Sequence, residues 1–235
     1  MFKKLIIAAF SASLVASAAF ADSTNIGIRL SAATMAATGS ETQDSAGADN
    51  GGDTTLHKEQ TADFALPSIF VERQFDLGGD GFSISLGLDY VPFEADVDTL
   101  RDPTGANTGP GATINAGNLF TAYIQPTFAV NDNLSFFGKA GYAQGDLDIT
   151  SVTQQATAVQ ANDNLSTDVG KKSTLEGPMY GIGMQLNNVS SMISFIRVEA
   201  TITDFDEITH TNSNGKILKA DAEMNLYTLS IGKSF

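Results

Sequence analysis

The stretch SFIRVEATITDF, residues 194–205, decides the fold, because it alternates like a strand yet carries Arg197 and Glu199 on the same side. A packed face in a soluble core does not normally hold two charges, and a face turned to lipid cannot hold them. The charges must therefore meet water or a polar interior. Which of the two depends on the rest of the chain.

Nearly everywhere the apolar residues recur with a period of two rather than 3.6. In FSISLGLDYVP (82–92), Phe82, Ile84, Leu86, Leu88 and Tyr90 share one side, with Ser83, Ser85, Gly87 and Asp89 on the other. In NLFTAYIQPTFAV (118–130), Phe120, Ala122, Ile124, Pro126 and Phe128 oppose Thr121, Tyr123, Gln125 and Thr127. Eight such segments are expected, near 24–37, 62–75, 82–94, 118–130, 134–145, 177–187, 192–204 and 222–235. Their connections alternate in length. Those at 76–81 (DLGGDG), 131–133 (NDN) and 188–191 (NVSS) are short and turn-like, while 38–61, 95–117, 146–176 and 205–221 are long and polar. The pentapeptide NDNLS recurs at 131–135 and 162–166 without any repeat around it. Its second copy reads as the tip of a long loop, with DITSVTQQATAVQ continuing a strand toward it; a ten-stranded barrel using that tip as an extra turn is the competing count.

The chain opens MFKKLIIAAFSASLVASAAFADS, with Lys3 and Lys4 before an apolar run and the small-residue pattern Ala19-Phe20-Ala21. This is the pattern of a secretory signal peptide over residues 1–21, leaving 22–235 as one barrel domain. Loss of the two lysines makes the formal charge of −14 more negative still, which disfavours nucleic acid as a partner. With no cysteine, an exported chain must hold itself by backbone pairing and packing. No later segment is long and apolar enough for a spanning helix, so a membrane would be crossed by strands.

A soluble barrel turns its apolar side inward, whereas a membrane barrel turns it outward and keeps polar residues inside. Short turns on one side with long loops on the other match an outer-membrane barrel, whose turns are periplasmic and whose loops are extracellular. The final strand NLYTLSIGKSF ends at Phe235, on the same face as Tyr227, Leu229 and Ile231. Aromatics also form two bands on the expected lipid side: Phe75, Phe82, Phe128, Phe136 and Phe235 at the turn end, and Tyr90, Phe120, Tyr142, Tyr180 and Tyr227 toward the loops.

The stretches LSFFGKAGYA (134–143), YGIGMQL (180–186), FIRVEATITDF (195–205) and LYTLSIGKSF (226–235) carry a family resemblance. In these the chain resembles the small eight-stranded outer-membrane barrels of the OmpA N-terminal domain, OmpX and opacity-type proteins. The resemblance implies an all-β antiparallel barrel in the outer membrane of a Gram-negative bacterium, with lipid around it. It also implies contact with the barrel-assembly machinery through the C-terminal strand, for which Phe235 is the expected signal. It implies no cofactor, names no extracellular partner, and offers no counterpart of the OmpA periplasmic peptidoglycan-binding domain.

Counted up from the turns, Glu72, Arg29, Lys139, Arg197, Asp89 and Glu199 fall at similar heights on the polar side, three anions against three cations. An eight-stranded interior is only wide enough to be filled by side chains, so the six are expected to meet in one ion network. Glu72 rather than Arg73 is placed inside, because a membrane-edge arginine can snorkel while a lipid-facing glutamate has a shorter reach. Such a network serves either as a structural plug or as a narrow charge-lined conduit for ions or small solutes. A surface-recognition role through the loops stands beside these, although loop residues 39–61 offer few apolar anchors. Passage of hydrophobic solutes would need an apolar lumen, and the expected inward set is too charged for it. Catalysis is not expected: His57 and His210 lie apart in polar loops, and two histidines without cysteine make a poor zinc site. DNGGD (49–53) and DVDTLRD (96–102) lack the EF-hand spacing, so no metal is expected there.

Overall fold

A period of two gives a strand two unlike faces, and every regular element in the described part of the computed structural model is a strand. The structure describes residues 23–42, 54–78, 81–93, 95–100, 111–153, 172–211 and 217–235. The expected leader (1–21), the tip at 162–166 and the stretch DNGGD lie outside the described residues. In chain order the strands are β1 (Ser23–Thr42), β2 (Thr54–Asp76), β3 (Phe82–Val91), β4 (Ala95–Leu100) and β5 (Gly111–Asn131). They continue with β6 (Leu134–Thr153), β7 (Lys172–Asn187), β8 (Phe195–Asp204), β9 (Ile208–Thr211) and β10 (Ile217–Ser234).

These ten segments make eight staves. β3 and β4 both pair with β5, and β8 and β9 both pair with β10, so each couple is one stave interrupted by a break. All recorded pairings are antiparallel between neighbours in the chain, and β1 closes on β10 from Asn25↔Ser234 to Thr42↔Ile217. At the closing end Phe235 and Thr24 exchange backbone hydrogen bonds, Thr24 N to Phe235 O at 3.0 Å and Phe235 N to Thr24 O at 2.9 Å. The described residues thus form a closed eight-stave antiparallel barrel, without the extra hairpin of the ten-strand count.

The short connections are built as their residues dictate. Asn131 accepts from the backbone of Asn133 (2.9 Å) and Leu134 (3.0 Å) through Oδ1, so one side chain closes the NDN turn. Gly78 and Gly81 take φ of 90° and 72°, a region open to glycine, beside the Leu77 to Phe82 backbone bond. The strands run further toward the loops than alternation foretold. β1 reaches Thr42 rather than residue 37, β2 begins at Thr54 rather than 62, and β5 begins at Gly111 rather than 118. β6 runs to Thr153, β7 starts at Lys172, and β10 starts at Ile217. Backbone pairing sustains these extensions where side-chain alternation has faded. As a result His57 and His210, expected in loops, sit on strands opposite Gly39 and Leu218.

One ladder stops early. β2 pairs with β3 from Asp76↔Ser83 up to Ile69↔Tyr90 and no further. Continuing that register would set Pro67 opposite Pro92, and neither residue has an N–H to donate. Above this point β2 is laddered to β1, and β4 to β5, leaving a seam in the wall.

The two faces sort as an inside-out protein. Ile28, Leu30, Ile69, Ile182, Val198 and Leu229 face outward and are exposed, Ile182 at 73%. Phe82, Phe128, Phe136 and Phe235 are exposed at the turn end, and Tyr180 and Tyr227 toward the loops. Phe75, Tyr90, Phe120 and Tyr142 share the outward faces and are half-buried among their neighbours. Arg29, Glu72, Asp89, Lys139, Arg197 and Glu199 are all buried within. Asn25, Ser31, Ser85, Gln125, Thr203 and Ser230 join them on the inward side.

Candidate functional site

The lower lumen is organised by a pattern that needs the register to be seen. Four inward aromatic rings each lie across a glycine directly opposite on the neighbouring stave: Phe70 over Gly27, Tyr123 over Gly87, Phe137 over Gly183, and Phe195 over Gly232. A Cβ placed on any of these glycines would meet ring carbons at 2.2–2.5 Å, so the ring occupies the room that the missing side chain leaves. Each of the eight staves supplies one half of one pair. Because a narrow barrel has little interior, flat rings pressed against bare backbone are what leave space for the charges at its centre.

The charges rest on those rings. The Arg29 guanidinium sits 4.3 Å from the Phe70 centroid and 5.3 Å from Tyr123; that of Arg197 sits 4.3 Å from Phe195; Lys139 Nζ lies 4.6 Å from Tyr123. Their faces are electron-rich and attract the cations, which partly replaces the water lost on burial. Arg197, 1% exposed, grips Glu72, 0% exposed, with a two-pronged contact: Nη1 to Oε1 at 2.6 Å and Nη2 to Oε2 at 2.8 Å. Its Nε donates to Gln185 on β7. Arg29 Nη1 meets Asp89 Oδ2 at 2.5 Å, and its Nη2 reaches Tyr123 Oη at 2.7 Å and Glu72 Oε1 at 3.4 Å. Tyr123 in turn donates to Glu72 Oε1 at 2.7 Å. Lys139 Nζ meets Glu199 Oε2 at 2.5 Å, and Arg29 Nη1 lies 3.8 Å from Glu199 Oε1, which joins the two halves.

All six residues singled out from the sequence therefore meet in one connected array. Glu72 lies inside, while Arg73 stays at the wall, where its guanidinium donates to Thr24 Oγ1. Sequence reasoning missed the four aromatic partners and the two glutamine-bearing positions around them. The alternation puts Tyr123 and Gln125 on the polar face without indicating a role for either. The signal that could have found the rings is an aromatic on the charge-bearing parity paired with glycine on the next strand, and it requires knowing the register.

Toward the loops the lumen changes character. Ala33, Met35, Leu66, Val91, Ala143, Leu175, Phe205 and Met224 face inward and pack into one apolar cluster, with Phe64, Leu119, Ile208, Ala222 and Leu226 against it. This corrects the expectation of a charged lumen throughout: the loop-side ends of the staves carry apolar residues on the same parity as the charges below. A space of about 40 Å³ separates the layers, bordered by Arg29, Asp89, Lys139 and Glu199 below and by Leu66 and Met224 above. That is room for about one water molecule. Among the described residues no group of three or more histidine, cysteine, aspartate or glutamate side chains is arranged to hold a metal ion.

No family model matches the sequence, and no curated protein matches it. Similar solved structures include the outer membrane protein OprG from Pseudomonas aeruginosa, at 12% identity and a TM-score of 0.44, covering 88% of this chain and 96% of that one. The outer membrane protease OmpT from Escherichia coli is similar at 11% identity and a TM-score of 0.43, covering 90% and 97%. Ail, the attachment invasion locus protein of Yersinia pestis, is similar at 10% identity and a TM-score of 0.34, covering 85% and 98%. Likeness at this level carries no argument about activity or partners. By its own architecture, eight antiparallel staves closed around buried charges with an apolar exterior, the chain is a small β-barrel of the outer-membrane type.

Proposed function

We propose that this protein resides in the bacterial outer membrane and serves there as a structural barrel that presents acidic loops at the cell surface, without catalysing a reaction. The observation that carries this reading is the Arg197–Glu72 fork, fully buried and bridging β8 and β2 across the lumen. An ion pair that ties two staves separated by β1 and β10, cushioned by four rings on four glycines, clasps the barrel and fills the path an ion would take. The apolar layer above it adds a second obstruction to hydrated ions. The expected lipid contact is supported by the exposed outward isoleucines, leucines and aromatics.

The test is single-channel conductance of the refolded protein in a planar bilayer, with Arg197→Ala beside it. Silence from the native protein is the expected outcome. Steady openings that change with the substitution would overturn the structural reading and make the array the constriction of a small pore. For assembly, the reciprocal backbone bonds of Phe235 and Thr24, at the point where the barrel closes, support a role for the last residue. Deleting Phe235 is expected to impair insertion by the assembly machinery, read as loss of the heat-modifiable band in membranes. Normal heat-modifiable folding of the truncated chain would count against it.

A further inference from the structure

Above the loop-side girdle the wall divides in two. β2 leaves β3 at Ile69↔Tyr90, and β7 leaves β8 at Met179↔Thr203; among the described residues no ladder joins β2 to β4 or β7 to β9. Prolines stand at both departures, Pro67 and Pro92 at the first and Pro178 at the second, where the next ladder bonds would need an N–H. The first seam lies between the second and third staves and the other between the sixth and seventh, on opposite sides of the barrel. Between them they leave two four-stranded leaves, β4–β5–β6–β7 and β9–β10–β1–β2. Every long connection joins strands of the same leaf: 43–53 links β1 to β2, 101–110 links β4 to β5, 154–171 links β6 to β7, and 212–216 links β9 to β10. The leaves are therefore joined covalently only through the barrel beneath them.

Side-chain packing holds the leaves face to face. Ala143 and Leu175 of the first leaf share one apolar cluster with Ala33, Met35 and Leu66 of the second. The second seam is also pinned at its base. Asp206 N donates to Glu176 O at 2.7 Å, and Gly177 lets the Phe205 backbone come so near that a Cβ would lie 2.8 Å from its Cα. At the first seam the facing prolines have no N–H for such a bond. Parting the leaves there breaks apolar contacts but no ladder. A region held in this way opens locally at less cost than the barrel below, where every stave is laddered on both sides. We propose that the upper wall is a jaw, which parts at the first seam about the second as its hinge and admits water and small water-borne solutes from the loop end to the upper face of the charged layer. Arg29, Asp89, Lys139 and Glu199 form that face, at the space of about 40 Å³ beneath the apolar cluster. The jaw goes beyond the structural role proposed above, and its opening does not depend on whether the charged layer conducts.

The chain contains no cysteine, so single thiols and cross-links can be introduced cleanly. Ala143→Cys and Ala33→Cys, at positions 1% and 2% exposed, put one thiol inside each leaf, and either serves should the other not fold. Ser85→Cys, at a position 1% exposed on the turn side of the charges, is the reference in the laddered barrel. In nanodiscs without denaturant, a water-soluble, positively charged methanethiosulfonate is expected to modify the upper thiols, read by intact mass, at least severalfold faster than Ser85→Cys. Bridging the exposed positions 65 and 93 across the first seam beforehand, as Ala65→Cys with Phe93→Cys and a short bis-thiol linker, should slow that modification severalfold. A disulfide across the hinge, Glu176→Cys with Asp206→Cys, should leave it nearly unchanged. Upper thiols that stay unmodified would mean that the leaves remain shut, and the jaw would fall. Equal reactivity of Ser85→Cys would replace it with opening of the whole barrel. Modification indifferent to the first bridge would place the entrance elsewhere, and equal slowing by the second would remove the hinge.

Discussion

The lower and upper halves of the lumen solve the same problem with opposite chemistry. Both must fill a space only a side chain wide. The lower half does so with three cations, three anions and four aromatic rings, the upper half with methionine, leucine, valine, alanine and phenylalanine. The lower half is all-or-none: each charge is tolerable because its partner is in place, and Glu72 alone receives contacts from Arg29, Tyr123 and Arg197. The upper half is a sum of small dispersion contacts, any one of which can be weakened without stranding another. The difference predicts that a single substitution below is costly and non-additive, while one above is moderate and local.

Arg197→Ala is the sharpest break. It leaves the Glu72 carboxylate fully buried without its main partner, and a loss of about 3–5 kcal/mol of unfolding stability in urea is expected. If the loss reflects the stranded charge, Arg197→Met with Glu72→Leu should recover most of it. A double variant as unstable as the single one would mean that Arg197 acts through its packing on Phe195 instead. In the upper half, Leu175→Ala is expected to cost about 2–3 kcal/mol, with no rescue by any charge change below. Gly87→Ala comes next. Its Cβ would lie 2.3 Å from Tyr123 Cζ, so the ring must move and disturb its bonds to Arg29 and Glu72. About 1–2 kcal/mol is expected, and pairing it with Tyr123→Ala should show strong coupling in a double-mutant cycle. Arg73→Ala, at the wall, should fall below all of these; equality with Arg197→Ala would erase the inside–outside distinction.

The same contrast explains how much of the barrel is legible in its sequence. The period of two fixed which residues share a face, so Arg197 and Glu199 could be joined to Arg29, Asp89 and Lys139 from height alone. Glu72 needed one further argument, the reach of Arg73 to the membrane edge. What parity does not contain is register. Phe70 and Gly27 lie 43 positions apart by number, and nothing local tells either that the other is its partner. The upper layer escaped for a different reason. Met35, Phe64, Leu66, Leu175, Phe205 and Met224 keep the parity of the charges, but their outward neighbours turn polar above the girdle, as at Asp63, Thr174 and Glu223. An apolar-in, polar-out strand end looks like the fading of one that was apolar-out. The sign of the alternation reverses where the wall leaves the lipid, and only backbone pairing carries the strand across that reversal.

The smallest expected effect lies on that protruding wall. Glu207, at the break before β9, accepts from Lys219 Nζ of β10 at 2.8 Å, both side chains being largely in solvent. The hydrogen bond from Lys219 holds the Glu207 carboxyl below its ordinary range against the opposing effect of desolvation, and the same bond holds the Lys219 ammonium above its own. A carboxyl depressed in the folded state adds stability above its unfolded pKa and loses that contribution as the pH falls through the folded value. Acidification below the ordinary carboxylate range should therefore loosen the Ile208–Ala220 pairing first, seen as faster amide exchange at the β9–β10 ladder while the lumen stays protected. Lys219→Ala should return the Glu207 titration to the ordinary range, followed by its side-chain carboxyl carbon shift, and leave unfolding in urea unchanged because the pair is exposed. A fall in global stability would mean that the protruding wall and the lumen fold as one unit. An unchanged Glu207 titration would assign its depression to something other than the lysine.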